Sequence, residues 1–233
     1  IRRCLVGSEM CIRDSLLTVN KAVISITGTR QYDGSTNTLP ADLSLNNLQG
    51  GENLTLTGNG TISDKDVATG KTLDVSGLTL GNGSGGTPGL SSNYKLDGGT
   101  HTFNVTKKDI TFSGSRVYDG TTTVSSSDLV TNDTTSGETL AFSGSGTVSS
   151  ANVQNNQSIT LGSIAIADGS GGGLASNYNL TTGTFDISQK WVSVGGQKIY
   201  DATTTVSSSD LEVTGEVTGE SISIAGTGSV TDK

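Results

Sequence analysis

The chain repeats itself. Residues 51–61 (GENLTLTGNGT) return at 137–147 (GETLAFSGSGT) and again at 219–229 (GESISIAGTGS). Residues 30–38 (RQYDGSTNT) return at 116–124 (RVYDGTTTV) and at 198–206 (KIYDATTTV), so the matching tyrosines Tyr32, Tyr118 and Tyr200 lie 86 and then 82 residues apart. Two further stretches recur once: 72–80 (TLDVSGLTL) as 158–166 (SITLGSIAI), and 91–96 (SSNYKL) as 175–180 (ASNYNL). One structural solution used in succession is the reading that such self-similarity demands, and a unit of this length can bury a core of its own. The expected organisation is a leader at 1–18, repeat 1 at 19–105, repeat 2 at 106–187 and a partial repeat 3 at 188–233. Repeat 3 stops at Thr-Asp-Lys where repeat 1 reads Ser63-Asp64-Lys65, which predicts a piece of a longer array.

The pattern inside each copy has period two. Leu54/Leu56, Leu140/Phe142 and Ile222/Ile224 alternate with small or polar residues, as half-buried strands do. Leu73, Val75, Leu78 and Leu80 match Ile159, Leu161, Ile164 and Ile166, with one phase step at Ser76-Gly77 and Gly162-Ser163. That step means either a β-bulge or two strands with a tight link. Further strands are expected at 22–27, 109–113, 191–194, 102–105 and 184–187, and single helical turns at 40–43, 126–129 and 208–211. Length differences between copies fall in Gly-rich stretches, where a shortened loop does not flip a strand's buried face. The predicted fold class is all-β: tandem small antiparallel β domains, sandwich-like or β-grasp-like, arranged as beads on a string.

Composition narrows the function classes. Gly, Ser, Thr and Asn make up roughly half the chain, all poor helix formers. The net charge is −8, which speaks against a nucleic-acid partner because phosphate contacts need a basic face. No apolar run is long enough for a membrane helix. Residues 1–15 (IRRCLVGSEMCIRDS) hold both cysteines and the only methionine. They resemble a translated sequencing-adapter fragment and lack the apolar stretch of a signal peptide.

All five tyrosines fall in two motifs, Tyr32, Tyr118 and Tyr200 before Asp, and Tyr94 and Tyr178 after Asn93 and Asn177. A residue present in every copy serves the shared fold, so each ring is expected in the core with its hydroxyl on a backbone group. Asp33, Asp119 and Asp201 should accept backbone N–H bonds in the turn that follows. The sharper alternative makes Tyr and Asp a sugar- or metal-contacting pair. The position of Gly34 and Gly120 is Ala202 in the third copy, which predicts that no left-handed backbone is required there. His101, the only histidine, is expected in an exposed loop, so neither a Ser-His-Asp nor a Cys-His arrangement can form. Asp64-Lys65-Asp66 lacks the ligand spacing of a calcium loop and is replaced by Ser150, Ala151 and Asn152 in repeat 2. No metal and no cofactor are predicted. Trp191 stands where the other copies have Val23 and Asp109. It either packs against a neighbouring domain or core, or is an exposed ligand contact for a glycan or protein.

Tyr-Asp-Gly followed by a threonine run, the Gly-Glu strand and the later Asn-Tyr together resemble the YDG repeat family of filamentous-haemagglutinin-like surface adhesins and related bacterial exoproteins. The resemblance spans residues 19–233. It implies a non-catalytic structural stalk in a secreted, cell-surface protein. A glycan- or ligand-binding module and an accessory module of an extracellular hydrolase are the alternatives. The implied partner is a host or environmental surface glycan or protein engaged outside this sequence, and the implied array is monomeric.

Overall fold

The structure is a computed structural model describing residues 18–135 and 137–232; the cysteine-bearing leader lies outside the described residues apart from Thr18. The chain divides into two compact units. One holds the residues up to Gln31 together with Ser35–Thr106, and the other holds Tyr32–Gly34 and the residues from Lys107 onward. The architecture is all-β. Its only helical features among the described residues are five single 3-10 turns, at Pro40–Asp42, Ser91–Asn93, Ser126–Asp128, Ala175–Asn177 and Ser208–Asp210. Three of the five are the turns expected from sequence, and the other two immediately precede Tyr94 and Tyr178.

In the first unit the strand Ser25–Gln31 lies between Leu43–Asn46, antiparallel, and His101–Thr106, parallel. His101–Thr106 continues antiparallel to Ala68–Asp74, which pairs with Gly60–Ile62 and through it with Asn37–Thr38. A separate ladder joins Leu54–Gly58 to Leu78–Asn82. Alternation decides what is buried: Ile24, Ile26, Ile62, Leu73, Leu78, Phe103 and Val105 face inward with Tyr94. Phe103 sits so close to Gly28 that a Cβ there would lie 2.5 Å from its ring, which is why this strand interior carries glycine.

The second unit repeats the plan. Lys108–Val117 runs parallel to Tyr178–Ser188 and antiparallel to Leu129–Thr131, and Gln154–Ser158 flanks Tyr178–Ser188. Thr123–Ser125 pairs with Ser145–Thr147, and Leu140–Ser143 with Ala165–Asp168. Phe112, Val124, Leu129, Val148, Ile164, Phe185 and Ile187 form the core. The phase step is a tight link rather than a bulge: Leu78 N–H closes onto Val75 O, and Ile164 N–H onto Leu161 O. Most pairs are antiparallel, as short connections require. The first and last strands of a repeat share no connection, and they pair in parallel.

Residues 188–232 build only the opening of the plan. Ser193–Gly196 pairs with Leu211–Thr214 and Thr205–Ser207 with Thr227–Ser229, and none of these described residues is buried. The alternating stretch at Ile222 and Ile224 forms no strand, against expectation. In the other repeats its partner is a later strand, and the given sequence has no counterpart of it. Trp191 precedes the strand rather than starting it and is 91% exposed, so it neither packs on a neighbour nor caps a core. His101 also departs from its predicted place. It opens a strand, half-buried, accepting Ile26 N–H at Nδ1 (3.1 Å) with Nε2 on Leu96 O (2.9 Å). Both ring nitrogens are therefore occupied in holding the loop before it, with the proton on Nε2.

Candidate functional site

The Tyr-Asp-Gly turn is built locally. Asp119 Oδ1 accepts Thr121 N–H (2.9 Å) and its hydroxyl (3.0 Å), and Asp201 Oδ1 does the same with Thr203 (2.9 and 2.9 Å). These are the Asp-capped turns expected from sequence. The residue after Asp is left-handed in all three copies, with φ of 78° at Gly34, 76° at Gly120 and 63° at Ala202. The prediction that this position needs no positive φ is thus overturned. The turn and the basic residue beneath it fix the backbone, and Ala202 adopts the strained region at a cost of about 1–2 kcal/mol.

That basic residue stands two places before each tyrosine. Arg30 donates to Ser35 O and Asn37 O, Arg116 to Thr121 O and Thr123 O, and Lys198 to Thr203 O and Thr205 O. The two guanidinium groups also lie over Phe103 and Phe185, at 5.5 and 5.4 Å from the ring centroids. Arg116 and Lys198 pair with the turn's own aspartate, at 3.1 and 2.9 Å. For Asp119, burial raises the carboxyl pKa, but Thr121 and Arg116 outweigh it and the net effect is a lowering. Asp201 is pulled down to about 2, first by Lys198 and then by Thr203. Sequence reading passed over this clamp, although Arg, Arg and Lys at one offset in three copies is a visible signal.

The tyrosines converge on the glutamate of the Gly-Glu motif. In the second unit Glu138 is buried, and its two oxygens accept the hydroxyls of Tyr32 (2.6 Å) and Tyr178 (2.6 Å). The two rings meet edge to face, 5.4 Å between centroids at 76°. Tyr178 also accepts the N–H of Thr135 (3.1 Å), and Thr135 O closes the turn onto Glu138 N–H (2.9 Å). Two hydroxyl donors satisfy a carboxylate that would otherwise be costly to bury. Burial and the Glu138 bond hold the Tyr178 hydroxyl above its ordinary pKa.

The other two glutamates repeat half of this arrangement each. Glu52 accepts the Tyr94 hydroxyl (2.6 Å) while Gln49 N–H donates to the same hydroxyl (3.1 Å). Glu220 accepts the hydroxyl of Tyr118, which is half-buried rather than the core residue expected, and which lies beside Val217, Trp191 and Ile222. Tyr200 remains 75% exposed. Tyr32 and Tyr118 thus bond the glutamate of the repeat that follows their own, at 106 and 102 residues' remove. The hydroxyls meet a carboxylate rather than only the backbone group predicted. Asn177 is buried and Asn93 exposed, each closing the 3-10 turn before its tyrosine through N–H bonds to Leu174 O and Leu90 O.

The aspartates proposed against a metal role are engaged by protein. Asp64 pairs with the nearly buried Lys71, which lowers its carboxyl pKa, and it also accepts Asp66 N–H (3.0 Å). In repeat 2 the same positions hold a neutral pair, Ser150 N–H on Gln157 Oε1 (3.1 Å).

The family model of the YDG domain matches residues 17–103 and 101–185. The chain belongs to the YDG domain family. The two matches take in the Tyr-Asp-Gly and Asn-Tyr motifs of both complete repeats, and the third Tyr-Asp segment lies beyond them. No curated protein and no solved structure matches the chain.

Proposed function

We propose that these YDG domains are non-catalytic stalk modules of a secreted, adhesin-like bacterial surface protein. One observation carries the reading: the family's signature tyrosine is spent inside the protein, buried on Glu138 with Tyr178, rather than offered to a ligand. Tyr118 is bonded to Glu220 in the same sense, and a residue used this way in two successive copies serves repetition. A net charge of −8 suits neither nucleic acid nor anionic lipid.

A second reading, a glycan- or protein-binding module, is favoured by Trp191, which is 91% exposed beside Tyr118 and Ile222. Exposed tryptophan is a common anchor at binding surfaces. A glycan array probed with the whole chain separates the two. The stalk reading expects no saturable binding. Binding that disappears in Trp191→Ala, with the melting curve unchanged, overturns it in favour of the second.

A further inference from the structure

We infer that each complete repeat is a force-resisting element: tension along the chain shears its two central strands past one another and does not peel them apart. The inference rests on the stalk reading for the source of the load, and on strand order and direction alone for the mechanics.

The strands by which the chain enters and leaves a repeat are neighbours. In the second repeat the entry strand Lys108–Val117 pairs in parallel with the exit strand Tyr178–Ser188, from Lys108 opposite Tyr178 to Val117 opposite Ser188. The entry point at Lys108 and the exit point at Ser188 therefore lie at opposite ends of one ladder. Pulling on them drives the strands in opposite directions along their own axes, and every backbone bond between them is loaded at once. In a hairpin the two ends emerge side by side, and the same pull opens the bonds one after another. The first repeat has the same design. Ser25–Gln31 runs parallel to His101–Thr106, from Ile26 opposite His101 to Gln31 opposite Thr106. Ala22 and Val23 extend the parallel pairing against Tyr94 and Lys95.

Placement in the sheet adds to the resistance. The two strands are central in both repeats, flanked by Leu129–Thr131 and Gln154–Ser158 in the second and by Leu43–Asn46 and Ala68–Asp74 in the first. Beneath the second ladder Ile110, Phe112, Phe185 and Ile187 are all buried. A slip by one residue would turn these side chains outward, so the nearest slip that restores the buried face is two residues, about 7 Å. Side chains also tie the strands across the ladder. Thr181 Oγ1 donates to Ile110 O (2.8 Å) and Ser188 Oγ to Arg116 O (3.2 Å), as Thr106 Oγ1 does to Arg30 O (3.2 Å) in the first repeat. Forced unfolding is governed by the unfolding barrier along the pulled direction, not by equilibrium stability, so this geometry sets it.

Single-molecule pulling on the full chain tests the inference by changing only the direction of force. Cys4→Ser and Cys11→Ser clear the native thiols, and substitutions at the exposed positions 107, 179 and 189 set the points of attachment. Lys107→Cys with Gln189→Cys loads the second repeat along its ladder. Lys107→Cys with Asn179→Cys grips the same ladder at one end and pulls across the strands. The comparison is made between chains whose melting curves match the parent's. The expected result is one abrupt event along the ladder, lengthening the chain by about 25 nm, at a force severalfold higher than across it. Equal forces in the two directions overturn the inference, as does gradual lengthening without an abrupt event along the ladder. The pulling experiment reads the mechanics alone, and the glycan array reads the stalk assignment separately, so failure of one is distinguishable from failure of the other.

Discussion

Glu52 and Glu138 stand at the same place in successive repeats, and their surroundings differ by one tyrosine. Glu52, half-buried, is bonded by Tyr94 from its own repeat. Glu138, buried, is bonded by Tyr178 from its own repeat and by Tyr32 from the one before. Glu220 supplies the third case, bonded by Tyr118 from the preceding repeat. The three sites separate the two motifs that sequence presents side by side. Asn-Tyr completes the repeat that contains it, whereas Tyr-Asp-Gly reaches the repeat that follows.

The largest test of this division is truncation of the ring. Tyr178→Ala should destabilise the second unit by about 3–5 kcal/mol, as expected for a large buried aromatic. Tyr118→Ala, at a half-buried ring, should cost about 1–2 kcal/mol. Urea denaturation followed by hydrogen exchange in each repeat reads both effects separately. Equal costs would erase the distinction between the doubly and singly occupied sites. Glu→Gln sharpens it. A glutamine offers one carbonyl oxygen to two hydroxyl donors, so Glu138→Gln should cost about 2–3 kcal/mol and Glu52→Gln about 1 kcal/mol.

A smaller effect concerns the turn itself. Ala202→Gly relieves a left-handed alanine and should stabilise the third turn by about 1 kcal/mol, while Gly120→Ala should cost about 1–2 kcal/mol. Hydrogen exchange at Thr203 and Thr121 reports each change. An unaltered Ala202→Gly would mean that the positive φ is not maintained in solution.

Two pH dependences follow, with opposite signs. Asp201 falls from the ordinary 3.8 to about 2 through Lys198 and Thr203, so its contribution is complete above 3.8 and is lost as pH falls toward 2. Carbon-detected NMR titration of the Asp201 carboxyl should show the low midpoint, and Lys198→Met should move it back up. Tyr178 is shifted the other way, by burial and then by Glu138. Its neutral hydroxyl stabilises the fold fully below pH 10, and that contribution drains away as pH rises through the elevated folded-state value. Tyrosinate absorbance against pH should show a late-ionising component that is smaller in Tyr178→Phe.

Much of the fold is legible in the residues. Period-two alternation located about half of the strands and passed over short ones such as Leu43–Asn46 and Leu129–Thr131, while Pro40, Ser126 and Ser208 marked their 3-10 turns. The phase step at Ser76-Gly77 pointed to one of two local solutions, and the link formed. What stayed hidden involves partners far apart in sequence. Ser25–Gln31 and His101–Thr106 run parallel because the intervening strands return the chain to the same edge, which local alternation does not encode. Repetition shows that Tyr32, Tyr118 and Tyr200 correspond, as do Glu52, Glu138 and Glu220. It does not show that a tyrosine in one copy meets the glutamate of the next. Ala202 misled because a strained φ can be imposed by Asp201 and Lys198 around it. His101 misled because a repeat-specific insertion was equated with a free loop, whereas its ring ties that loop to Ile26 and Leu96.

The central claim is that the Tyr-Asp-Gly tyrosine and the following repeat's glutamate form one energetic unit. A double-mutant cycle with Tyr32→Phe and Glu138→Gln, read by denaturant unfolding of the second unit, tests it most directly. The account predicts a coupling of about 1–3 kcal/mol, in the range of directly bonded polar pairs. Single-variant costs that simply add, within about 0.5 kcal/mol, would contradict it.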